Sequence, residues 1–161
     1  MALCRMKVVV MMTSKKMTLI IAATLLSLEV PSAAFSQEGY SLQLQLTTRK
    51  ASSDPDGVWD SDTLTSYQDP PVRPDIYTAT LNSPSGRWLL TQTTADCNMQ
   101  GMCTSLLVHF DKKGKKTVVA NPQMIQGGKA VLSLNYRKIT TTEIGEGGKP
   151  VTGSYDVDKL K

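Results

Sequence analysis

Residues 76–94 read IYTATL (76–81), NSPSG (82–86) and RWLLTQTT (87–94), and this stretch decides the fold class. The first and last segments contain mostly β-branched, aromatic and aliphatic side chains, which favour extended strands. The segment between them contains Pro84 and Gly86, whose backbone preferences suit a tight turn. A strand, a turn and a second strand in this order predict an antiparallel hairpin.

Similar runs lie on both sides of this hairpin. Leu42, Leu44 and Leu46 alternate with polar residues, which predicts a half-buried strand with the leucines on one face. Further predicted strands, separated by Gly, Pro, Asn and Asp, cover residues 58–67, 104–110, 117–119, 129–134, 136–144 and 151–157. About eight short strands without a helical apolar stripe predict an all-β fold, a single small antiparallel domain built as a barrel or a sandwich.

The beginning of the chain has the three parts of a secretory signal peptide. Lys15 and Lys16 form a basic start, residues 17–28 are almost entirely apolar, and residues 30–36 include small residues suited to cleavage. The apolar run is shorter than the roughly 20 residues that span a bilayer. We therefore expect residues 1–36 to be a signal peptide and 37–161 to be the mature domain, without stable membrane insertion. Met12 is an alternative true start.

The charge of the predicted mature domain is nearly balanced. The whole chain has 18 basic and 14 acidic residues, a net charge of +4. Residues 1–36 contain four of the basic residues and one of the acidic residues, so 14 basic and 13 acidic residues remain. The basic surplus belongs mainly to the signal, and we expect no nucleic-acid partner.

Two cysteines remain in the mature domain, and they lie close together in the sequence. An even pair in an exported chain predicts a disulfide between Cys97 and Cys103, at the tip between two strands. Two methionines in this ring would give adaptable apolar surface, and the disulfide would order the loop before binding. The predicted binding loop consists of Cys97, Asn98, Met99, Gln100, Gly101, Met102 and Cys103. A stapled hairpin tip without a binding role is the alternative.

Three other groups of polar residues give weaker signals. His109 is the single histidine, and its place in the alternation of residues 104–110 predicts a solvent-facing or interface position. The acidic residues within 54–62 predict a solvated turn, with weak calcium binding or hydrolysis as alternatives. The lysines within 112–116 predict an exposed turn, with a docking patch for an acidic surface as the alternative. We expect no metal, no cofactor and no catalytic residue.

The stretch 97–116 resembles the periplasmic lysozyme inhibitors of the Ivy type. It has a two-cysteine loop followed by Leu106, Leu107, Val108, His109 and Phe110 and then a lysine-rich turn. In that family a short disulfide-closed loop plugs the lysozyme cleft, so the resemblance implies a loop-closing role for Cys97 and Cys103. The family loop carries a histidine, whereas no histidine lies between the two cysteines here.

These observations predict a periplasmic or secreted binding or inhibitory protein that is not an enzyme. Its partner would be another protein, and a lysozyme is one concrete version. The alternative is a structural or assembly accessory protein of the cell envelope that binds a neighbour through an exposed strand edge. A hydrolase that uses the acidic cluster is a third class.

The signal peptide makes a direct prediction about the mature chain. When the full gene product is expressed with its own leader in a bacterium with two membranes, the purified protein should begin at Phe35 or Gln37, because cleavage after Ala34 or Ser36 satisfies the small-residue rule. N-terminal sequencing and intact mass spectrometry measure this. A protein that retains residues 17–28 would contradict the prediction.

Overall fold

The computed structural model of the protein describes residues 38–48, 54–64 and 74–160. The predicted signal peptide lies outside these residues. The described residues confirm the all-β prediction, with one short 3-10 turn at Glu146–Gly148. The strands are β1 Gly39–Gln43, β2 Gln45–Thr48, β3 Ile76–Ser83, β4 Gly86–Cys97, β5 Met102–Asp111, β6 Lys116–Ala120, β7 Gln123–Ile125, β8 Lys129–Ser133, β9 Lys138–Ile144 and β10 Pro150–Asp156.

The strands form two antiparallel sheets. The first sheet has the order β1-β8-β9-β10, and the second has the order β2-β3-β4-β5-β6, with β7 paired to the other end of β5. Within the described ranges neither sheet closes into a barrel, so the structure favours the sandwich. The second sheet follows chain order. Its neighbours β3 and β4, and β5 and β6, are joined by tight turns, as the hairpin signals at residues 82–86 and 111–115 predict, whereas residues 49–75 separate β2 from β3.

One segment near the start of the described chain belongs to both sheets. Strand β1 pairs with β8 in the first sheet, and β2 pairs with β3 in the second. Leu44 lies between them, and its backbone N–H donates to the carbonyl of Gly128 at 3.1 Å. Leu42 and Leu44 are buried as predicted, whereas Leu46 is 37 % exposed. The alternation predicted for a single strand therefore ends where the chain changes sheets.

The core lies between the two sheets. Ala79, Leu90 and Leu107 are aligned across β3, β4 and β5 and represent the inner face of the second sheet. Leu42, Leu132 and Ile139 come from the first sheet. The buried cluster that both sheets share consists of Leu42, Leu44, Trp88, Leu90, Leu107, Val119, Met124, Ala130, Leu132, Ile139 and Val157.

A buried glutamine fixes the loop between β7 and β8 to the centre of the second sheet. The amide nitrogen of Gln92 donates to Ser105 Oγ at 3.1 Å, and its Oε1 accepts from the backbone N–H of Gly127 at 2.8 Å. Gln92 is fully buried. Burial of an amide is tolerated because its hydrogen-bonding groups are satisfied within the protein.

The outer face of the second sheet is covered by residues 54–64 rather than by solvent. The indole N–H of Trp59 donates to Thr91 Oγ1 at 3.0 Å, and Arg87 pairs with Asp56 at 2.8 Å. The prediction of a strand at 58–67 is wrong for the described residues 58–64, which form bends and turns. The reason is local, because the Asp54 carboxylate accepts the backbone N–H of Trp59 at 2.7 Å and also that of Val58.

The double-sided burial of β4 predicts the effect of a core truncation. Leu90→Ala should lower the free energy of unfolding by about 2–5 kcal/mol, because the side chain is fully buried and its removal leaves a cavity. Leu134→Ala is the matched control, since Leu134 is 54 % exposed and should change stability by no more than about 0.5 kcal/mol. Urea unfolding followed by circular dichroism measures both. Equal effects from the two variants would contradict this placement of the core.

Candidate functional site

The predicted disulfide is present at the tip of the β4–β5 hairpin. Cys97 and Cys103 are bonded and pair directly across the two strands. Between Gln92 and Cys97 the register shifts, so that β4 bulges before it reaches the loop. The disulfide therefore joins the two strands at the end of the hairpin, beyond the point where their regular pairing is interrupted.

The interior of the ring is ordered by its own hydrogen bonds. The side-chain carbonyl of Asn98 accepts the backbone N–H of Gln100 and of Met102, each at 3.0 Å. Gly101 has a φ of +75°, which glycine adopts without a steric penalty. Its carbonyl accepts the N–H of Gln126 at 2.8 Å, which connects the loop to the turn after β7. These hydrogen bonds and the disulfide hold the loop in one shape.

The two methionines of the ring have opposite environments. Met99 is fully exposed at the tip. Met102 is only 8 % exposed, and its sulfur accepts the backbone N–H of Ile144 at 3.2 Å. The expectation that Met102 is exposed is therefore wrong, because β9 packs over this position. The loop offers Asn98, Met99 and Gln100 to the outside.

His109 lies inside the protein rather than at its surface. It is 5 % exposed and packs against Trp88, with ring centroids 4.7 Å apart. The expected solvent-facing position is wrong because Leu107 and His109 belong to the inner face of β5, while the loop at 54–64 covers the other face. In the structure His109 stands directly opposite Trp88 across the two strands.

The surroundings of His109 favour its neutral form. Burial lowers the pKa of the imidazole, and the nearby Asp111 carboxylate opposes this shift. His109 Nε2 lies 3.3 Å from Ser85 Oγ. A serine beside a histidine resembles two members of a catalytic triad, but within the described residues no carboxylate hydrogen-bonds the imidazole. Asp111 Oδ1 instead accepts the backbone N–H groups of Lys113 and Lys115.

The acidic cluster of residues 54–62 has structural roles. Asp54 caps its own turn through Val58 and Trp59, and Asp56 pairs with Arg87. Asp60 accepts the backbone N–H of Thr63 at 2.6 Å, and this hydrogen bond lowers the pKa of the exposed Asp60 carboxyl. A general acid needs a raised pKa, so Asp60 does not fit that role. In the part of the chain that the structure describes, no group of acidic, histidine or cysteine side chains is arranged to hold a metal ion.

The lysine-rich turn is exposed, as predicted. Gly114 has a φ of +82°, and the Asp111 carboxylate orders the turn. Lys116 differs from the other lysines because its ammonium group donates to the carbonyl of Gly57. Lys112, Lys113 and Lys115 remain at the surface.

Burial of His109 predicts a pH-dependent stability. The pKa of the native imidazole lies below its usual value of 6.5. Between these two values the unfolded chain binds a proton at His109 more readily than the native state does. The free energy of unfolding should therefore fall as the pH falls through and below the usual value. Urea unfolding between about pH 5 and 8 measures this, and His109→Gln should have a smaller slope. Identical slopes for the two proteins would contradict the assignment.

Comparison with known proteins identifies no relative of this chain, so its candidate site is identified from its geometry. The chain matches no protein-family model, no curated protein and no solved structure. Among the described residues no helix is long and apolar enough to cross a membrane. The candidate site is the disulfide-closed loop, which presents Asn98, Met99 and Gln100.

Proposed function

We propose that the chain is an exported binding or inhibitory protein that contacts another protein through its loop of residues 97–103. The single observation that supports this most is Met99, a fully exposed apolar side chain at the tip of a loop that is already ordered. A large apolar side chain in water is unfavourable for the free protein, and burial against a partner removes that cost. The thioether chain can adapt to an irregular surface.

The loop has the chemistry of a plug for a narrow cleft. Met99 supplies apolar contact, and the flanking Asn98 and Gln100 are exposed. The side-chain amide of Gln100 can donate hydrogen bonds to carboxylates. A glycoside hydrolase cleft has a pair of carboxylates at its centre, and ligand clefts are lined mainly by apolar and aromatic side chains. The lysozyme version of the proposal follows from this match, with the amide in place of a histidine.

The disulfide increases affinity by lowering the entropy lost on binding. A flexible loop loses backbone freedom when it is fixed against a partner, whereas this ring has already lost it. The two hydrogen bonds to Asn98 Oδ1 and the bond from Gln126 to Gly101 fix the same conformation. A preordered loop of this kind supports an inhibitor that binds without rearrangement.

Capture and inhibition experiments test the proposal with a matched control. Mature protein tagged at its C-terminus is tested against a panel of lysozymes and against envelope extract. Met99→Ala should weaken capture or inhibition at least tenfold, or about 1.4 kcal/mol, because the buried tip contact is lost. Leu134→Ala removes a half-exposed apolar side chain from a different turn and should leave binding unchanged.

The outcomes separate the loop from other surfaces. Loss of binding in Leu134→Ala together with Met99→Ala would contradict a specific role for the loop. Absence of any partner for the parent protein would contradict the proposal itself. Met102 is left intact in this design, since its replacement would disturb packing against β9.

The accessory-protein alternative also has an observation in its favour. Strand β10 is an edge of the first sheet, and Val151 on it is 46 % exposed. An open edge can accept a strand from a neighbour. In the capture experiment, Val151→Lys should abolish binding through this edge and leave binding through the loop unchanged. Met99→Ala should have the opposite pattern.

A further inference from the structure

A cleft lies at the end of β4 away from the disulfide loop. It consists of two adjoining cavities of about 300 and 520 Å³ that share Asp158 and Lys159 in their walls. The smaller cavity is lined by Ser85, Trp88, Tyr136 and Arg137, and the larger one by Lys115 and Val118. Trp88 is near the start of β4 and Cys97 at its end, which at about 3.3 Å per residue separates the two sites by some 30 Å.

The wall of the cleft is a rigid aromatic stack. Tyr136 lies between Tyr40 and Trp88, with centroid distances of 5.3 and 5.1 Å. Its two faces are covered, so the ring edge is the part available to a ligand. Ring edges carry partial positive charge because of the aromatic quadrupole. The indole N–H of Trp88 is engaged with Ser83 Oγ at 3.2 Å.

The turn that carries Tyr136 and Arg137 is fixed in an uncommon conformation. Tyr136 has a φ of +56°, a value that non-glycine residues adopt infrequently and that aromatic residues adopt less readily than asparagine. The turn is over-determined, since Asn135 Oδ1 accepts the N–H of Arg137 at 3.1 Å and Ser133 accepts that of Tyr136 at 2.8 Å. Backbone strain retained in this way is concentrated at functional sites.

The same turn is joined to the C-terminal segment that forms the other wall. The N–H of Val157 donates to the carbonyl of Arg137 at 2.9 Å, and that of Asp158 donates to Val119 of β6 at 2.8 Å. Arg137 and Lys159 are therefore held on neighbouring walls of one cleft. The second hydrogen bond also occupies the edge of β6, which prevents an extended peptide from pairing with that strand at Val119.

The cleft is positively charged although the mature chain is nearly neutral. Its lining contains three basic residues, Lys115, Arg137 and Lys159, and one acidic residue, Asp158. The ion pairs within the described residues are Arg87 with Asp56 and Lys138 with Asp156. None of the three basic side chains of the cleft is in an ion pair there. Lys112 and Lys113 are exposed on the same turn as Lys115, next to the carboxylate of Asp111.

We propose that this cleft binds an acidic oligosaccharide. The basic side chains would take the carboxylates of a linear anionic sugar chain, and Ser85 and Asn135 would hydrogen-bond its hydroxyl groups. A glycan fits better than an acidic peptide because the carbonyl of Val119 on β6 already accepts the N–H of Asp158, which leaves recognition at this point to side chains. The concave shape, with basic residues in the lining of both cavities, suits a chain that enters it better than a flat anionic membrane.

Calorimetry with defined oligosaccharides tests the assignment. Mature protein is titrated with oligogalacturonate and with a neutral maltooligosaccharide of equal length, at low salt. The acidic chain should bind, added salt should weaken it, and the neutral chain should bind at least tenfold more weakly. Arg137→Ala/Lys159→Ala should weaken the acidic chain at least tenfold. Lys129→Ala is the control, because it removes a positive charge from the other end of β8 and should leave binding unchanged.

Each result of these titrations supports or overturns the cleft proposal, and none depends on the loop of residues 97–103. Equal binding of neutral and acidic chains, equal loss in Lys129→Ala, or no binding by the parent would overturn the proposal. Binding to phosphatidylglycerol vesicles without binding to oligogalacturonate would assign the cleft to a membrane surface and overturn it as well. Met99→Ala should leave oligosaccharide binding unchanged, so failure at one site does not affect the test of the other.

Discussion

The fold depends on the burial of β4 from both sides. Residues 88–93 are buried without interruption, which an antiparallel strand permits only when both of its faces are covered. The first sheet covers the inner face around Leu90, and the loop at 54–64 covers the outer face around Thr91. Asp54 caps the turn of this loop, and Asp56 pairs with Arg87 of β4, so both carboxylates help to hold the loop on the sheet.

The sequence predicted those parts of the fold that depend on local chemistry. The hairpin of residues 76–94 and the turn at 111–115 follow from proline, glycine and aspartate at positions where a tight turn needs them. The sequence did not predict that β1 and β2 would divide at Leu44, because the change of sheet depends on a contact with Gly128. Strand β7 was also missed, since three residues are too few to show alternation.

Some features of the candidate site could also be predicted from local sequence, and others depend on contacts with distant residues. The disulfide and the exposure of Met99 follow from the short spacing of the cysteines and could be predicted. The burial of Met102 depends on Ile144, which lies far away in sequence, so the ring alone gave no sign of it. His109 was misjudged because alternation identifies two faces of a strand but does not tell which face is covered. The aromatic stack joins Tyr40, Trp88 and Tyr136 from distant parts of the chain. No sequence signal indicated it, since Tyr136 was placed in a predicted strand at 136–144, whereas β9 begins at Lys138 and Tyr136 lies in the preceding turn.

The two proposed sites are expected to act independently, and the reason lies in the structure between them. β4 is hydrogen-bonded to β3 and β5 along most of its length, and its side chains at residues 88–93 are buried in a close-packed interior. Coupling between distant sites needs an element with two discrete arrangements. The ring is ordered by Asn98 and its disulfide, and the cleft by the turn around Tyr136, so each is complete without the other. A partner at the loop and an anionic chain in the cleft would therefore bind to the same molecule with additive free energies.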